Sequence, residues 1–397
     1  MRRFVKPHES VYRVAMTLIS DTSTLAAFCD AQAKAEFITV DTEFLREKTY
    51  WPMLCLVQIA GPEKAAAIDP LAPGIDLAPL YALLADRSIL KVFHAARQDI
   101  EIFFNLTGAV PNPLFDTQIA AMVCGFGDQV SYETLATKYA QAQIDKSSRF
   151  TDWSQRPLTE RQLHYALADV VPLRTVYQKL ASILAKNGRF AWLEEELAIL
   201  TDPATYNQDP AEAWRRLRVR SNNRRLLALV RDLATWREQA ARQHNLPRAR
   251  VMRDEMILEI AAHAPRSTEE LARTRGLGKG FADSKFGVEI LAVIERTLAE
   301  PLASYPAPMP RSDPSPGIAP LIELLRVLLK QRCEEHEVAP KLIADSDDLE
   351  MIATDDAAPV RALSGWRADM FGKDAIDLKH GRLALTAAGN RIKLVRL

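Results

Sequence analysis

The stretch Phe37-Ile38-Thr39-Val40-Asp41-Thr42-Glu43-Phe44 says most about this chain's architecture. Its apolar run reads as a central β-strand, and its two acids fall at the strand's end. Successive strand side chains point to opposite faces, so residues i and i+2 share one. Asp41 and Glu43 therefore project together. Two carboxylates that close repel, and partial burial disfavours their charged forms further. A hard divalent cation with oxygen ligands relieves both effects. For an isolated Asp-x-Glu the simpler reading is a strand end with both acids hydrated, and only the sequence downstream reverses that order.

The chain has 397 residues, enough for two or three domains. Hydrophobic residues make up 48% and charged ones 26%, the profile of a soluble globular protein. No apolar stretch approaches the roughly 20 residues of a membrane span. Met1-Arg2-Arg3-Phe4 is basic, but no apolar core follows it, so a secretory leader is not expected. Cys29, Cys55, Cys124 and Cys333 are scattered without a Cys-x-x-Cys pair, which suits free thiols in a reducing cytoplasm. Fifty-one basic and 51 acidic residues cancel, so a generic polyanion binder is disfavoured. The distribution is uneven, however. Between Trp214 and Arg253 lie Arg215, Arg216, Arg218, Arg220, Arg224, Arg225, Arg231, Arg237, Arg242, Arg248, Arg250 and Arg253. That asymmetry predicts a catalytic part and a nucleic-acid-handling part, with about half of these arginines on solvated helix faces.

Strands are predicted at 37–44, 53–61, 64–69 and 89–95, punctuated by Trp51-Pro52 and Gly61-Pro62. Helical patterns follow from Asp99 to Leu106, Thr117 to Cys124, Tyr132 to Ala140 and Thr159 to about Leu184. This is an α/β domain with a mixed sheet ending near residue 200. Linkers are predicted at 201–210 and 301–320. Residues 211–299 read as helices throughout, and another helical pattern begins at Leu321.

Asp99 lies just past an apolar strand in the first turn of a helix, where a lone Asp most often satisfies free N–H groups. Asp116 has the same ambiguity and reads mainly as a helix N-cap. Tyr165 and Asp169, spaced i, i+4, share one helical face among Ala166, Leu167, Ala168, Val170 and Val171. An amphipathic surface pair is the plain alternative. Asp-x-Glu on a strand, Asp at a helix start and Tyr-x-x-x-Asp on a late helix, in this order, resemble the DEDD exonucleases of the ribonuclease H-like fold, tyrosine subclass. Ile68-Asp69-Pro70-Leu71, Phe115-Asp116-Thr117-Gln118, Asp145-Lys146-Ser147, Thr151-Asp152-Trp153 and Arg156-Pro157-Leu158-Thr159-Glu160 are similar to the ribonuclease D branch. Leu233-Ala234-Thr235-Trp236-Arg237, Asn245-Leu246-Pro247 and the Gly276–Gly280 turn resemble the HRDC module of helicases and that branch. Residues 1–16 then read as an N-terminal extension, 17–200 as the exonuclease domain, 211–300 as an HRDC domain, and 321–397 as a second, divergent all-α HRDC-like domain resting on helical pattern and Ser364-Gly365-Trp366-Arg367.

The resemblance implies a 3′→5′ exoribonuclease using two divalent metal ions, Mg²⁺ or Mn²⁺, held by Asp41, Glu43, Asp99 and Asp169, with Tyr165 orienting the attacking water. It implies RNA as partner, most plausibly transfer-RNA precursors with 3′ extensions, and no membrane or obligate protein partner. A DNA 3′→5′ exonuclease and a noncatalytic RNA-binding scaffold are the alternatives. For nucleic-acid contact, Phe44 reads as a wedge or as core, Lys146 as a phosphate ligand, and Trp153 as a stacking platform or as core. Gly276-x-Gly278 resembles a backbone phosphate grip, with Arg248, Arg250, Arg253 and Lys279 near it; a structural Gly cap is the alternative.

Overall fold

A computed structural model describes residues 17–217, 219, 221–308 and 317–397. The expected N-terminal extension, Arg218, Arg220 and part of the second linker lie outside these residues. The described chain packs as two compact units: residues 17–43, 55–202 and 317–397 form one, and residues 44–54 and 203–308 the other.

The first unit is built on a six-stranded sheet. In chain order its elements begin with β1 (Thr17–Ile19), α1 (Thr22–Gln32), β2 (Phe37–Leu45), β3 (Met53–Ala60), β4 (Ala65–Ile68), α2 (Ala78–Ala85) and β5 (Leu90–Phe93). They continue with α3 (Arg97–Thr107), β6 (Leu114–Asp116), α4 (Thr117–Val123), α5 (Tyr132–Leu135), α6 (Glu160–Asn187) and α7 (Phe190–Thr201). The spatial order is β1-β4-β3-β2-β5-β6. β3 and β4 run antiparallel, while β1 with β4, β2 with β5 and β5 with β6 run parallel. The sheet is thus mixed, as expected, with β2 inside it. Ile38 and Val40 are fully buried, so β2 needs the apolar run the sequence supplies. The strand reading missed β1 and β6, which are three residues each and too short to carry a period.

Helix α6 starts at a capping box between Thr159 and Gln162 and runs 28 residues to Gly188, whose φ of 69° closes it. Pro172 sits inside it. Lacking an N–H, Pro172 leaves the carbonyl of Ala168 without its helical donor. The Tyr132 hydroxyl supplies one, at 2.9 Å. On the sheet side, the buried Thr39 hydroxyl of β2 donates to Val170 O of α6 at 2.7 Å. Thr39 shares a face with Asp41, and Val170 adjoins Asp169. This bond, with those from Arg174 of α6 to Phe37 O and Ala60 O, ties the helix acid to the strand acids.

Residues 317–397 pack with this unit rather than forming a detached third domain. They contain α14 (Ile318–His336), α15 (Ser346–Thr354), α16 (Gly365–Arg367) and α17 (Lys373–Lys379). A terminal hairpin, β7 (Leu383–Ala388) with β8 (Arg391–Arg396), follows, so the all-α expectation fails for these last residues. The alternation in Arg391-Ile392-Lys393-Leu394 is the strand period that gives the hairpin away. They dock on α7 and also on the end of α4, where Ala339 N donates to Met122 O at 3.0 Å. Trp192 stacks on Trp366 with centroids 4.2 Å apart and planes 6° off parallel. Arg367, itself buried, bonds Glu195 at 2.6 Å and also pairs with Glu196, which Arg361 shares. A buried arginine demands such partners, and a helical pattern alone could not show where they lay.

The second unit holds α8 (Arg224–Gln243), α9 (Arg248–Val251), α10 (Asp254–His263), α11 (Thr268–Ala272), α12 (Lys279–Ala282) and α13 (Lys285–Ala299) around Leu233, Ile257, Ile260, Leu271 and Ile290. The loop of residues 44–54, between β2 and β3, packs with these helices. Tyr50 donates its hydroxyl to Glu238 and lies under the Arg248 guanidinium at 4.8 Å; Asn245 accepts from the backbone N–H groups of Tyr50 and Trp51.

Candidate active site

Asp41, Glu43 and Asp169 meet. Each offers an oxygen, and the three oxygens lie within 4.8 Å of one another. Asp99 stands beside this triad: it is buried in the first turn of α3 and accepts the Thr42 hydroxyl. The start of α3 is fixed by Asp116, which caps α4 through the N–H groups of Gln118 and Ile119. The same carboxylate accepts from Ala95 N at 3.1 Å and Ala96 N at 2.8 Å. The N-cap reading of Asp116 is therefore right, and that cap also aligns the helix carrying Asp99.

The electrostatics follow from crowding. Burial, then the charges of Asp169, Asp99 and Glu43, hold the Asp41 carboxyl well above the usual carboxylate range. Glu43 is pushed up to about 9 by burial and by Asp169 and Asp99, against the pull of Arg149. Burial lifts Asp99 to about 7, opposed by the Thr42 hydrogen bond. Burial likewise lifts Asp169 to about 7, against the Tyr165 hydroxyl and Arg149. A convergent set of hard oxygen donors whose charges are mutually unfavourable is what a divalent cation fits.

Tyr165 leans on Trp153, with ring centroids 5.9 Å apart. Trp153 is 2% exposed, so it has no free face for a base; its indole is core and backs the tyrosine. Burial, then Asp169, Glu43 and Asp41, hold the Tyr165 hydroxyl firmly protonated. A cleft of about 520 Å³ opens over Asp41, Tyr165 and Asp169, walled also by His94, Tyr132, Lys146 and Arg149. His94 is lowered by burial and contacts the Thr117 hydroxyl at 3.0 Å. That hydroxyl also lies within hydrogen-bond distance of Phe93 O, to which it donates at 3.0 Å. Lys146 pairs with Glu133 on the rim. Phe44 continues β2 beyond Glu43 and is half-buried.

In the helical unit the arginines are less available than their count suggested. Arg248 is bonded to Glu238 at 2.5 and 2.7 Å and to the Tyr50 hydroxyl at 3.1 Å. Burial works against ionising Glu238, yet the bonds from Arg248 and Tyr50 hold it down to about 2. Arg231, Arg237 and Arg242 are similarly engaged, with Asp232, Asp254 and Tyr50. Arg248 is therefore engaged within its own unit, by partners that no sequence spacing signalled. Arg250 and Lys279 are exposed. Gly276 takes φ 85°, and buried Leu277 anchors the turn it makes, which accounts for the glycine structurally.

An acidic triad spanning a central strand and a late helix of a mixed sheet defines a metal-dependent 3′→5′ exonuclease, and a 3′-5′ exonuclease family profile matches residues 16–185. The HRDC domain profile matches residues 227–294. Ribonuclease D of Granulibacter bethesdensis is 51% identical over 384 residues, 96% of both chains, and that of Acidiphilium cryptum is 52% identical over 380, covering 96% of this chain and 97% of that one. The crystal structure of Escherichia coli RNase D, described as an exoribonuclease involved in structured RNA processing, superposes with TM-score 0.80 at 31% identity, covering 93% of this chain and 99% of that one. The chain belongs to the ribonuclease D family of metal-dependent 3′→5′ exoribonucleases.

A pH dependence follows. The triad must lose protons to bind a cation, so Mg²⁺ affinity should climb from about pH 6 toward pH 9, with proton release on binding. In EDTA the sign for stability is the reverse of the usual carboxylate case. Folded pKa values above the unfolded value of about 4 mean that the folded state binds more protons, so stability falls as pH rises toward about 9. Calorimetry in two buffers, with melting curves in EDTA and in Mg²⁺, checks both; a pH-independent Mg²⁺ affinity would contradict the crowding argument.

Proposed function

We propose that Asp41, Glu43, Asp99 and Asp169 hold two divalent cations, that Tyr165 orients the attacking water, and that the substrate is structured RNA with a 3′ extension, transfer-RNA precursors foremost. The observation carrying this reading is the convergence of Asp41, Glu43 and Asp169 beneath an open cleft. When bound, paired cations supply an activated water and charge relief at the phosphorus and leaving oxygens. The chain's own contribution is positional. Tyr165, fixed between Trp153 and Asp169, keeps its proton, so it acts as an orienting hydroxyl rather than as a base. Thr42 steadies Asp99, and the Thr39–Val170 bond holds the strand acids against α6. Exposed Arg250 and Lys279 remain for backbone contact in the helical unit. A cytoplasmic location suits RNA trimming and four cysteines free of disulfides; no helix among the described residues is long and apolar enough to cross a membrane.

The test compares a transfer-RNA precursor bearing a 3′ trailer, a single-stranded RNA and the matched DNA, each with Mg²⁺, Mn²⁺ or EDTA. Stepwise release of 5′-mononucleotides from the RNAs and no release in EDTA are expected. Preferential degradation of the DNA would overturn the substrate assignment.

A further inference from the structure

The short 3₁₀ segment Lys146–Ser148 leads into Arg149 and Phe150, and these two side chains are unusual. Phe150 is 91% exposed, the largest exposure among the large hydrophobic side chains of the described residues. A phenylalanine left in water forgoes the apolar burial that such side chains usually gain in a folded protein. The Arg149 guanidinium lies 5.2 Å from its ring centroid. Arg149 in turn lines the catalytic cleft with Asp41, Tyr165 and Asp169. Among the described residues it has no ion pair or side-chain hydrogen bond. The other arginines nearby are committed: Arg156 to Asp69, Arg174 to the carbonyls of Phe37 and Ala60, and Arg161 to Asp145. Lys146 is paired with Glu133.

A polyanion must approach this cleft against the field of its carboxylates. A cation on the rim, with no carboxylate of its own, is what lowers that barrier, and Arg149 already acts on Glu43 and Asp169. An exposed aromatic ring one residue on suits the other half of a nucleotide. Bases of single strands stack on such rings and on guanidinium planes. Trp153, the aromatic that the sequence offered for this role, is buried three residues away. We propose that Arg149 and Phe150 form a nucleotide grip at the mouth of the catalytic cleft, Arg149 holding a backbone phosphate and Phe150 stacking a base of the single-stranded RNA 3′ segment. The proposal rests on the RNA-degrading reading above.

The experiment uses the full-length chain with Phe150→Ala, Phe150→Trp, Arg149→Ala and Arg149→Lys. The probe is a labelled single-stranded RNA, with the matched DNA in parallel. Phe150→Ala should weaken Kd in EDTA, and raise KM in Mg²⁺, by about 5- to 150-fold, with a much smaller change in kcat. Phe150→Trp should recover most of the affinity. Arg149→Ala should reduce the slope of log affinity against log salt by about 0.7, and Arg149→Lys should restore it. Melting temperature should not drop in Phe150→Ala, since an exposed ring packs against little. A Kd within twofold of wild type for Phe150→Ala, or a loss confined to kcat, overturns the stacking role. An unaltered salt slope in Arg149→Ala overturns the phosphate role. Wild type that degrades the DNA in preference to the RNA breaks the substrate reading instead, and the variants' affinities for that DNA still decide the grip.

Discussion

Asp41→Ala and Asp169→Ala should each reduce turnover of 3′-extended RNA by more than about 1000-fold, beyond what removal of one stabilising donor usually costs. Each change deletes a third of the triad whose oxygens lie within 4.8 Å. The remaining pair loses the charge and geometry that make a cation site. Stability should move the other way. The three acids disfavour one another's ionised forms, so removing one relieves the others, and in EDTA near pH 8 the variants should melt at or above the wild-type temperature. In saturating Mg²⁺ the order should invert, because wild type alone gains the stabilisation of a bound cation. Retained activity in either variant, or a large fall in melting temperature in EDTA, would mean that these acids are structural.

Tyr165→Phe is the second large effect and the cleaner one, since only an oxygen is removed. The ring stays against Trp153, so packing is preserved. The hydroxyl proposed to orient the water, which also bonds Asp169, is lost, and kcat should fall by about 10- to 1000-fold. Metal affinity should shift little, measured by Mg²⁺ titration of stability. The kcat–pH profile between pH 6 and 9 should keep its shape, because Tyr165 holds its proton throughout that range. A normal rate would leave Tyr165 as a packing residue.

The site was legible in the sequence wherever its chemistry is written in short spacings. Asp41-x-Glu43 on a strand and Tyr165-x-x-x-Asp169 on a helix share a face by backbone periodicity alone, and each lies on the expected element. What brings the two faces together was not legible. It includes Thr39 meeting Val170, a bond across 131 residues, and Arg174 meeting Phe37 O. The same limit explains Arg248, whose partners Glu238 and Tyr50 include one 198 residues away. Trp153 and Phe150 make the complementary case: two aromatic residues three apart, one sealed in the core and one in water, with no local pattern to separate them. The C-terminal hairpin carries its signal in the alternation of Arg391-Ile392-Lys393-Leu394 alone, because its other strand, Leu383–Ala388, has no such alternation of polar and apolar residues.

The loop that leaves the catalytic strand has a consequence for biosynthesis. Its Tyr50 and Trp51 N–H groups are held by Asn245, 195 and 194 residues further along. At about 5–20 residues per second, the ribosome needs roughly 10–40 seconds to deliver that partner. The acids of β2 leave the tunnel early, but the turn that follows them stays without its native neighbours until most of the chain has been made. A nascent nuclease of this design matures late, when its own message has been largely translated.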